Sequence, residues 1–181
     1  MAPGRVHEGC GSARVTFAML IARALAGPVL WIEPGWAAGR LNATGVARFI
    51  DPGRLIFVAP TREIDLLWTM EEALRSAAIP LVIADLPAPP ALTPIRRLHL
   101  AAEAGAARAA PPLGLILTPG AGGASGVESR WHMDTAHGAD GTTGWTLNRL
   151  RARMAPEKSW HVAATGSGFD LMDRAPAKSP A

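Results

Sequence analysis

The sequence predicts an α/β protein: a mostly parallel, twisted sheet with helices on both faces and an antiparallel extension at its C-terminal end. Over the first 118 residues, short apolar runs alternate with helical patterns, which is typical of parallel strands that meet water on neither face. Beyond the glycine-rich segment 120–126 the strands become half-polar and follow one another without helices between them, as antiparallel strands do. The 181 residues, 49% of them hydrophobic, supply the apolar material for one well-buried domain.

The helices of the parallel part are indicated by their apolar patterns and by residues typical of helix ends. The first is rich in Ala and Leu and ends at Gly27 and Pro28, and a short second helix precedes a turn at 51–53. Thr61 is expected to cap the third helix, and Pro94 to take the first helical position of the fourth. We expect helices at 15–26, 46–50 and 93–105, and a further helix that follows Thr61 and ends before Pro80.

The strands are predicted from short apolar or alternating runs bounded by turn residues. Parallel strands are expected at 29–32, 55–58, 81–86 and 113–117, and antiparallel strands at 129–134, 144–151 and 159–163. The segment from Thr165 onward is rich in Ala, Pro, Ser and Lys and has too little apolar content to pack. The sequence therefore predicts a single domain over 1–163 and a flexible tail over 164–181.

Charge and cysteine content limit the classes of function. The formal net charge is +3 and the pI is about 10.0, which favours acidic partners, nucleic acid among them. Cys10 is the single cysteine and cannot form a disulfide within the chain. The longest apolar stretch is interrupted by Arg23, Gly27 and Pro28, so a membrane span is not expected. Without a segment that resembles a secretory signal, a cytoplasmic location is expected.

Residues 9–16 have the pattern of a phosphate-binding turn at the start of a helix, but they lack its lysine. In such a turn, glycines leave backbone N–H groups free to bind phosphate, a lysine reaches the outer oxygens and a Ser or Thr hydroxyl holds magnesium. One interpretation is a residual anion site in which Arg14 replaces the lysine; the other, which we favour, is a glycine turn that leads into a helix, because a planar guanidinium does not reproduce the point charge of lysine. The candidate residues are Gly9, Gly11, Ser12, Arg14 and Thr16.

A second candidate site is a group of arginines and tryptophans in the antiparallel part. These side chains could contact phosphates and stack on bases, or they could lie at a solvated edge above packed tryptophans. Alternate residues of one strand share a face, so Trp145 and Leu147 cannot lie in the core while Arg149, Arg151 and Arg153 lie in solvent unless the strand bends or ends. The candidate contacts to nucleic acid or a partner are Arg130, Trp131, Arg149, Arg151 and Arg153.

Several short segments, taken in their order along the chain, carry a resemblance to a known family. They are GRVHE at 4–8, PVLWI at 28–32, WTMEEALR at 68–75, RRLHLAAE at 96–103, SRW at 129–131 and WTLNRLRAR at 145–153. Over residues 4–163 the chain resembles the RecA-like core, and most closely the ImuA family, the RecA-related accessory proteins of bacterial error-prone repair operons. The resemblance implies a RecA-like fold with a degenerate phosphate loop.

The chain departs from the RecA-like pattern at positions that serve ATP hydrolysis. Asp85 matches the acidic residue that helps to hold magnesium through water, but residues 13–15 read Ala-Arg-Val where Gly-Lys-Thr would stand. Glu33 is not followed by the glutamate that would activate water, and Thr118 and Pro119 replace the polar residue that senses the γ-phosphate. We therefore expect a vestigial nucleotide site, no cofactor and no enzymatic activity.

The resemblance implies a non-catalytic role in damage-induced mutagenesis, within the SOS response and translesion DNA synthesis. The implied partners are the Y-family-like protein ImuB and a DnaE-type polymerase, with RecA and DNA as further candidates. Self-assembly through a leading segment is not expected, because the chain begins directly at the first core strand. Two alternatives stay open: a weak ATPase or nucleotide-dependent switch that uses Arg14 and Asp85, and a cell-division inhibitor similar to SulA. The scattered histidines lack the spacing of metal ligands, so no metal site is expected.

Overall fold

The computed structural model describes residues 1–138, 142–166 and 168–174. Strands and helices alternate up to residue 117, and strands alone follow. The strands are β1 Val6–Cys10, β2 Val29–Ile32, β3 Leu55–Val58, β4 Leu81–Asp85, β5 Leu113–Leu117, β6 Ser129–Thr135, β7 Gly144–Ala152, β8 Lys158–Ala164 and β9 Phe169–Arg174. The α-helices are α1 Arg14–Ala24, α2 Ala43–Val46, α3 Glu63–Ser76 and α4 Leu92–Ala106.

All the described strands belong to one sheet, in the order β3-β2-β4-β5-β1-β6-β7-β8-β9. In the part of the sheet that runs β3-β2-β4-β5-β1-β6, each strand pairs in parallel with the next. The pairs β6–β7, β7–β8 and β8–β9 are antiparallel. The predicted α/β class, with a mostly parallel sheet and an antiparallel C-terminal extension, is therefore confirmed.

Two apolar cores, one on each face of the sheet, explain why the central strands are apolar without interruption. In β2, Val29 and Trp31 pack into the core beneath α1, whereas Leu30 and Ile32 pack into the core beneath α3 and α4. Successive strand residues point to opposite faces, so a strand covered on both sides needs apolar residues at every position. None of the described helices is long and apolar enough to cross a membrane.

Three predicted helix starts are wrong. The second helix lies at Ala43–Val46 rather than at 46–50, because the Asn42 side chain accepts hydrogen bonds from the N–H groups of Thr44 and Gly45 and caps it there. Thr61 does not cap α3, which begins at Glu63 after Arg62. Pro94 is the third residue of α4 rather than the first; proline is tolerated there because the first-turn N–H groups have no acceptor within the helix.

The predicted boundary between domain and tail is also wrong. β8 runs to Ala164, and Phe169–Arg174 forms β9, which pairs with β8. The centroids of the Phe169 and Phe49 rings are 5.1 Å apart, so an aromatic contact adds to the pairing that holds this strand to the domain. The other residues of the predicted tail, 167 and 175–181, lie outside the described residues.

Candidate functional site at the turn between β1 and α1

The turn that resembles a phosphate loop is packed against the backbone of β6. The N–H of Gly11 donates to the carbonyl oxygen of Gly120 at 2.9 Å, and the N–H of Ala13 donates to that of Met133 at 2.9 Å. Gly11 has a φ of +93°, and a Cβ at this position would lie 2.3 Å from the Met133 oxygen. Glycine is required here because the neighbouring strand approaches the turn closely.

A carboxylate of the protein itself accepts hydrogen bonds from the turn. The N–H and the hydroxyl of Ser12 both donate to Oδ1 of Asp134, each at 2.8 Å. These hydrogen bonds lower the pKa of Asp134 below its ordinary value. The amides of Gly11, Ser12 and Ala13 therefore all have acceptors within the protein, whereas a phosphate-binding turn offers such amides to its ligand.

Arg14 and Asp85, the two residues that a nucleotide-dependent switch would use, lie against each other. Nε of Arg14 is 3.3 Å from Oδ1 of Asp85, and both side chains are largely buried. Burial raises the pKa of Asp85, and the neighbouring guanidinium opposes that shift. Each charge compensates the other, so the arginine is not directed at an incoming phosphate. Thr16 lies half-buried in the first turns of α1.

The cysteine that ends β1 has no features of a nucleophile. Burial raises the pKa of the Cys10 thiol to about 12, so it stays protonated at neutral pH. Its Sγ donates to the carbonyl oxygen of Trp131 at 3.4 Å. Within 1–138, 142–166 and 168–174, no group of three or more His, Cys, Asp or Glu side chains could hold a metal ion.

Glu8, in the middle of β1, connects this strand with Thr118, with the glycine loop 120–126 and with Arg130 of β6. Its side chain is fully buried, and Oε1 accepts hydrogen bonds from the Thr118 hydroxyl at 2.7 Å and from the N–H groups of Gly123 and Ala124 at 2.9 and 3.1 Å. Oε2 pairs with Arg130. Glu8 thus fixes the glycine loop 120–126 to the sheet. A glutamate inside a fully buried strand indicates such a partner, because a buried charge must be paired.

The arginines predicted to form one basic face do not share it. Arg130 points to the face of Glu8, and Arg151 lies opposite Arg130 in the ladder between β6 and β7. The register shifts at the next pair, Trp131 with Arg149, so Leu150 is an extra residue and Arg149 points to the other face. Because of this irregularity, Trp145 and Leu147 can lie in the core while Arg151 lies on the opposite face of β7. Arg153 lies 3.6 Å from Glu128.

Trp131 and Arg149 belong to a packed aromatic stack. The Trp131 ring lies between those of Phe17 at 5.9 Å and Trp160 at 5.7 Å, and its Nε1 donates to the Ser129 hydroxyl. The Arg149 guanidinium covers Trp131 and Trp160 at 5.6 and 5.4 Å, and its Nε donates to the Pro156 carbonyl oxygen. These contacts give both side chains a structural role on the face of α1.

We expect Asp134→Asn to remove an acid-sensitive contribution to stability. The folded pKa of Asp134 lies below its ordinary value of 3.8, so the stabilisation is complete above that pH and is lost as the pH falls through the folded value. The carboxylate is half exposed, which limits the difference at neutral pH to about 1 kcal/mol. Urea unfolding of wild type and variant at neutral pH and at about pH 2 measures it. The exposed Asp170, replaced by Asn, is the control; an equal pH dependence in both variants would contradict the assignment.

No protein-family model matches this sequence, and no curated protein is significantly similar to it. The described residues form an α/β structure with one mixed sheet of nine strands.

Proposed function

We propose that this chain is a non-catalytic protein of the RecA-like fold that acts through its surfaces. The observation that carries the proposal is the filled turn between β1 and α1, where Asp134 accepts from Ser12 and the neighbouring amides donate to carbonyl oxygens. A phosphate would have to displace these acceptors and compete with a carboxylate for the same donors. The pairing of Arg14 with Asp85 also supports the proposal, because each of these two charges is compensated by the other instead of by a nucleotide or its magnesium ion.

Support for the RecA-like fold comes from the order of the elements. A strand, a glycine turn and a helix open the chain, parallel strands covered on both faces follow, and antiparallel strands extend the same sheet. This is the arrangement that the resemblance to the ImuA family implies. The fold alone does not define an activity, so the functional role rests on the resemblance and on the filled turn together.

Within that role, we propose an accessory protein of translesion DNA synthesis in the damage response of a bacterial cytoplasm. Its partners would be an ImuB-like protein and a DnaE-type polymerase, with RecA as a further candidate. DNA contact through the basic side chains of β6 and β7 is a weaker part of the proposal, since Arg130 and Arg153 pair with carboxylates and Arg149 covers tryptophans.

The absence of nucleotide binding is tested by calorimetric titration with Mg²⁺ and ATP at millimolar concentration. We expect no saturable heat from the wild type, because the turn has no free amides at Gly11, Ser12 and Ala13. Saturable, magnesium-dependent binding that is lost in Arg14→Ala would overturn the proposal and favour a nucleotide-dependent switch.

The partner role is tested with purified components of one organism. The tagged chain is mixed with its ImuB-like protein and DnaE-type polymerase after nuclease treatment, and retention through a moderate salt wash is measured. Retention of either protein is the expected result. Retention of neither, together with division arrest when the chain is overproduced, would favour the division inhibitor instead.

A further inference from the structure

An apolar groove lies between α1 and the strands β7, β8 and β9, on the face of the sheet that carries α1. Its volume is about 490 Å³. Phe17, Leu147 and Val162 line the groove, although all three belong to the buried core. Leu171 of the edge strand β9 lines it as well and is 58% exposed. The apolar core therefore reaches the surface along this groove.

A second pocket, of about 360 Å³, adjoins the groove. The two share Arg23, in the last turn of α1, and Phe169, at the start of β9. Arg48 lines the second pocket too; it is exposed and forms no ion pair within the part of the chain that the structure describes. The other described residues of this pocket are uncharged, namely Phe49, Ala164, Thr165, Gly166 and Gly168. The second pocket is therefore cationic.

The Arg23 guanidinium is held in place where the two pockets meet. Its Nη1 donates to the carbonyl oxygen of Phe49 at 3.2 Å, and its Cζ lies 5.7 Å from the centre of the Phe169 ring. Both contacts keep the positive charge at the end of the apolar groove. Because the side chain is already ordered, an anion that binds there costs little additional conformational entropy.

Asp170 borders the groove but does not balance this charge. Successive residues of a strand point to opposite faces, and Asp170 lies between Phe169 and Leu171 in β9. Leu171 pairs with Val162, which packs into the core beneath α1, so the Asp170 side chain is directed to the other face of the sheet. The groove and the cationic pocket thus present an apolar surface that ends at two guanidinium groups.

We propose that the groove and the cationic pocket together bind a small amphipathic anion, in which an apolar chain ends in an oxyanion such as a carboxylate. The chain would lie against Leu147, Val162 and Leu171, and the oxyanion would meet Arg23 and Arg48. Small-molecule sites combine a mostly apolar lining with a few polar groups in the same way. The inference goes beyond the proposed function and does not depend on which proteins the chain binds.

The test compares decanoate with decylammonium, which has the same chain length and the opposite charge. Each is titrated, below its micelle concentration, into the ¹⁵N-labelled full chain and followed by NMR. We expect decanoate to bind at least about tenfold more tightly, because the two guanidinium groups attract a carboxylate and repel an ammonium group. The amide shifts should lie in α1 and in β7, β8 and β9. Acetate, which has the charge without the chain, should give no saturable shifts.

The charge requirement is tested with Arg48→Ala. We expect this variant to weaken decanoate binding about fivefold, because it removes one of the two cations. Arg48 is exposed, so the variant retains the fold. Arg96→Ala is the matched control, since it removes an exposed arginine that lines neither pocket, and it should bind decanoate as the wild type does.

The apolar requirement is tested with Leu171→Ala, which should also weaken decanoate binding about fivefold through the loss of apolar contact. Met172→Ala is its control. Met172 is the next residue of β9, is similarly exposed and points to the opposite face of the sheet, so its replacement should leave decanoate binding unchanged.

Equal affinity for decanoate and decylammonium, or wild-type affinity for decanoate in Arg48→Ala or Leu171→Ala, would overturn the proposal. Shifts spread over the whole chain would show general binding of detergent and overturn it as well. A wild-type dimer that becomes monomeric in Leu171→Ala, measured by sedimentation, would assign the groove to a second copy instead. None of these measurements contains a partner protein, so this site and the proposed function can fail separately.

Discussion

Replacement of Glu8 by alanine is expected to lower the free energy of unfolding by about 3–5 kcal/mol, the cost of removing one partner from a buried ion pair. The fully buried carboxylate binds Arg130 and accepts from Thr118, Gly123 and Ala124. Its removal leaves a guanidinium charge and three donors without their acceptor in a site that little water reaches. Urea or guanidinium denaturation of the purified variant gives the value.

Two further variants separate the buried ion pair from a general effect of losing a glutamate. Glu103→Ala removes a carboxylate that pairs with Arg5 at the surface, and it should cost less than about 1 kcal/mol. Arg130→Met added to Glu8→Ala should recover part of the loss, because no unpaired charge then stays buried. A loss below about 1 kcal/mol in Glu8→Ala alone would show that Glu8 does not hold the glycine loop.

Most of the fold could be predicted from the sequence because its central strands are buried on both faces. A strand such as β2, apolar at every position, has few alternatives to a covered parallel sheet. The β9 strand could not be predicted in the same way. It is an edge strand that depends on pairing with β8 and on the ring of Phe169, and neither contact leaves a periodic pattern.

The turn between β1 and α1 could be located from the sequence, but the acceptors that its amides find within the protein could not. The helix start at Arg14 and the strand end at Asp85 meet at one edge of the sheet, as the carboxyl ends of parallel strands do. The hydrogen bonds from Ser12 to Asp134 span 122 positions and depend on the pairing of β1 with β6. No local sequence pattern predicts such a contact, so only the structure shows that the amides of the turn have acceptors within the protein.

The basic residues of β6 and β7 illustrate the limit of strand alternation. Because alternate residues of a straight strand share a face, Trp145 could not lie in the core while Arg149 lay in solvent. The structure resolves the conflict in two ways: Arg149 covers the aromatic stack, and the irregularity at Leu150 sends Arg151 to the opposite face. The alternation of side chains predicts that β7 must be irregular somewhere. It does not predict where, because the position of the extra residue depends on the pairing with β6.

Gly11→Ala is expected to destabilise the fold by about 3 kcal/mol or more, from a left-handed backbone and a steric clash together. The new Cβ would lie 2.3 Å from the Met133 carbonyl oxygen, so the turn or β6 must move. Gly120→Ala is the matched control: its φ of +60° is also left-handed, but no atom lies within 4 Å of the added Cβ. It should cost only about 1 kcal/mol, and thermal or urea unfolding compares the two.

The difference between these two alanine variants also bears on function. If Gly11 is needed because β6 packs closely against the turn, Gly11→Ala lowers the free energy of unfolding by the same amount with and without added nucleotide or phosphate. If the two variants are equally stable, β6 does not press on the turn at Gly11, and the contact between the turn and Met133 is looser than the structure has it. The same measurement therefore tests the observation on which the proposed non-catalytic role depends, because a phosphate would have to displace Asp134 and the Met133 carbonyl oxygen from the amides of the turn.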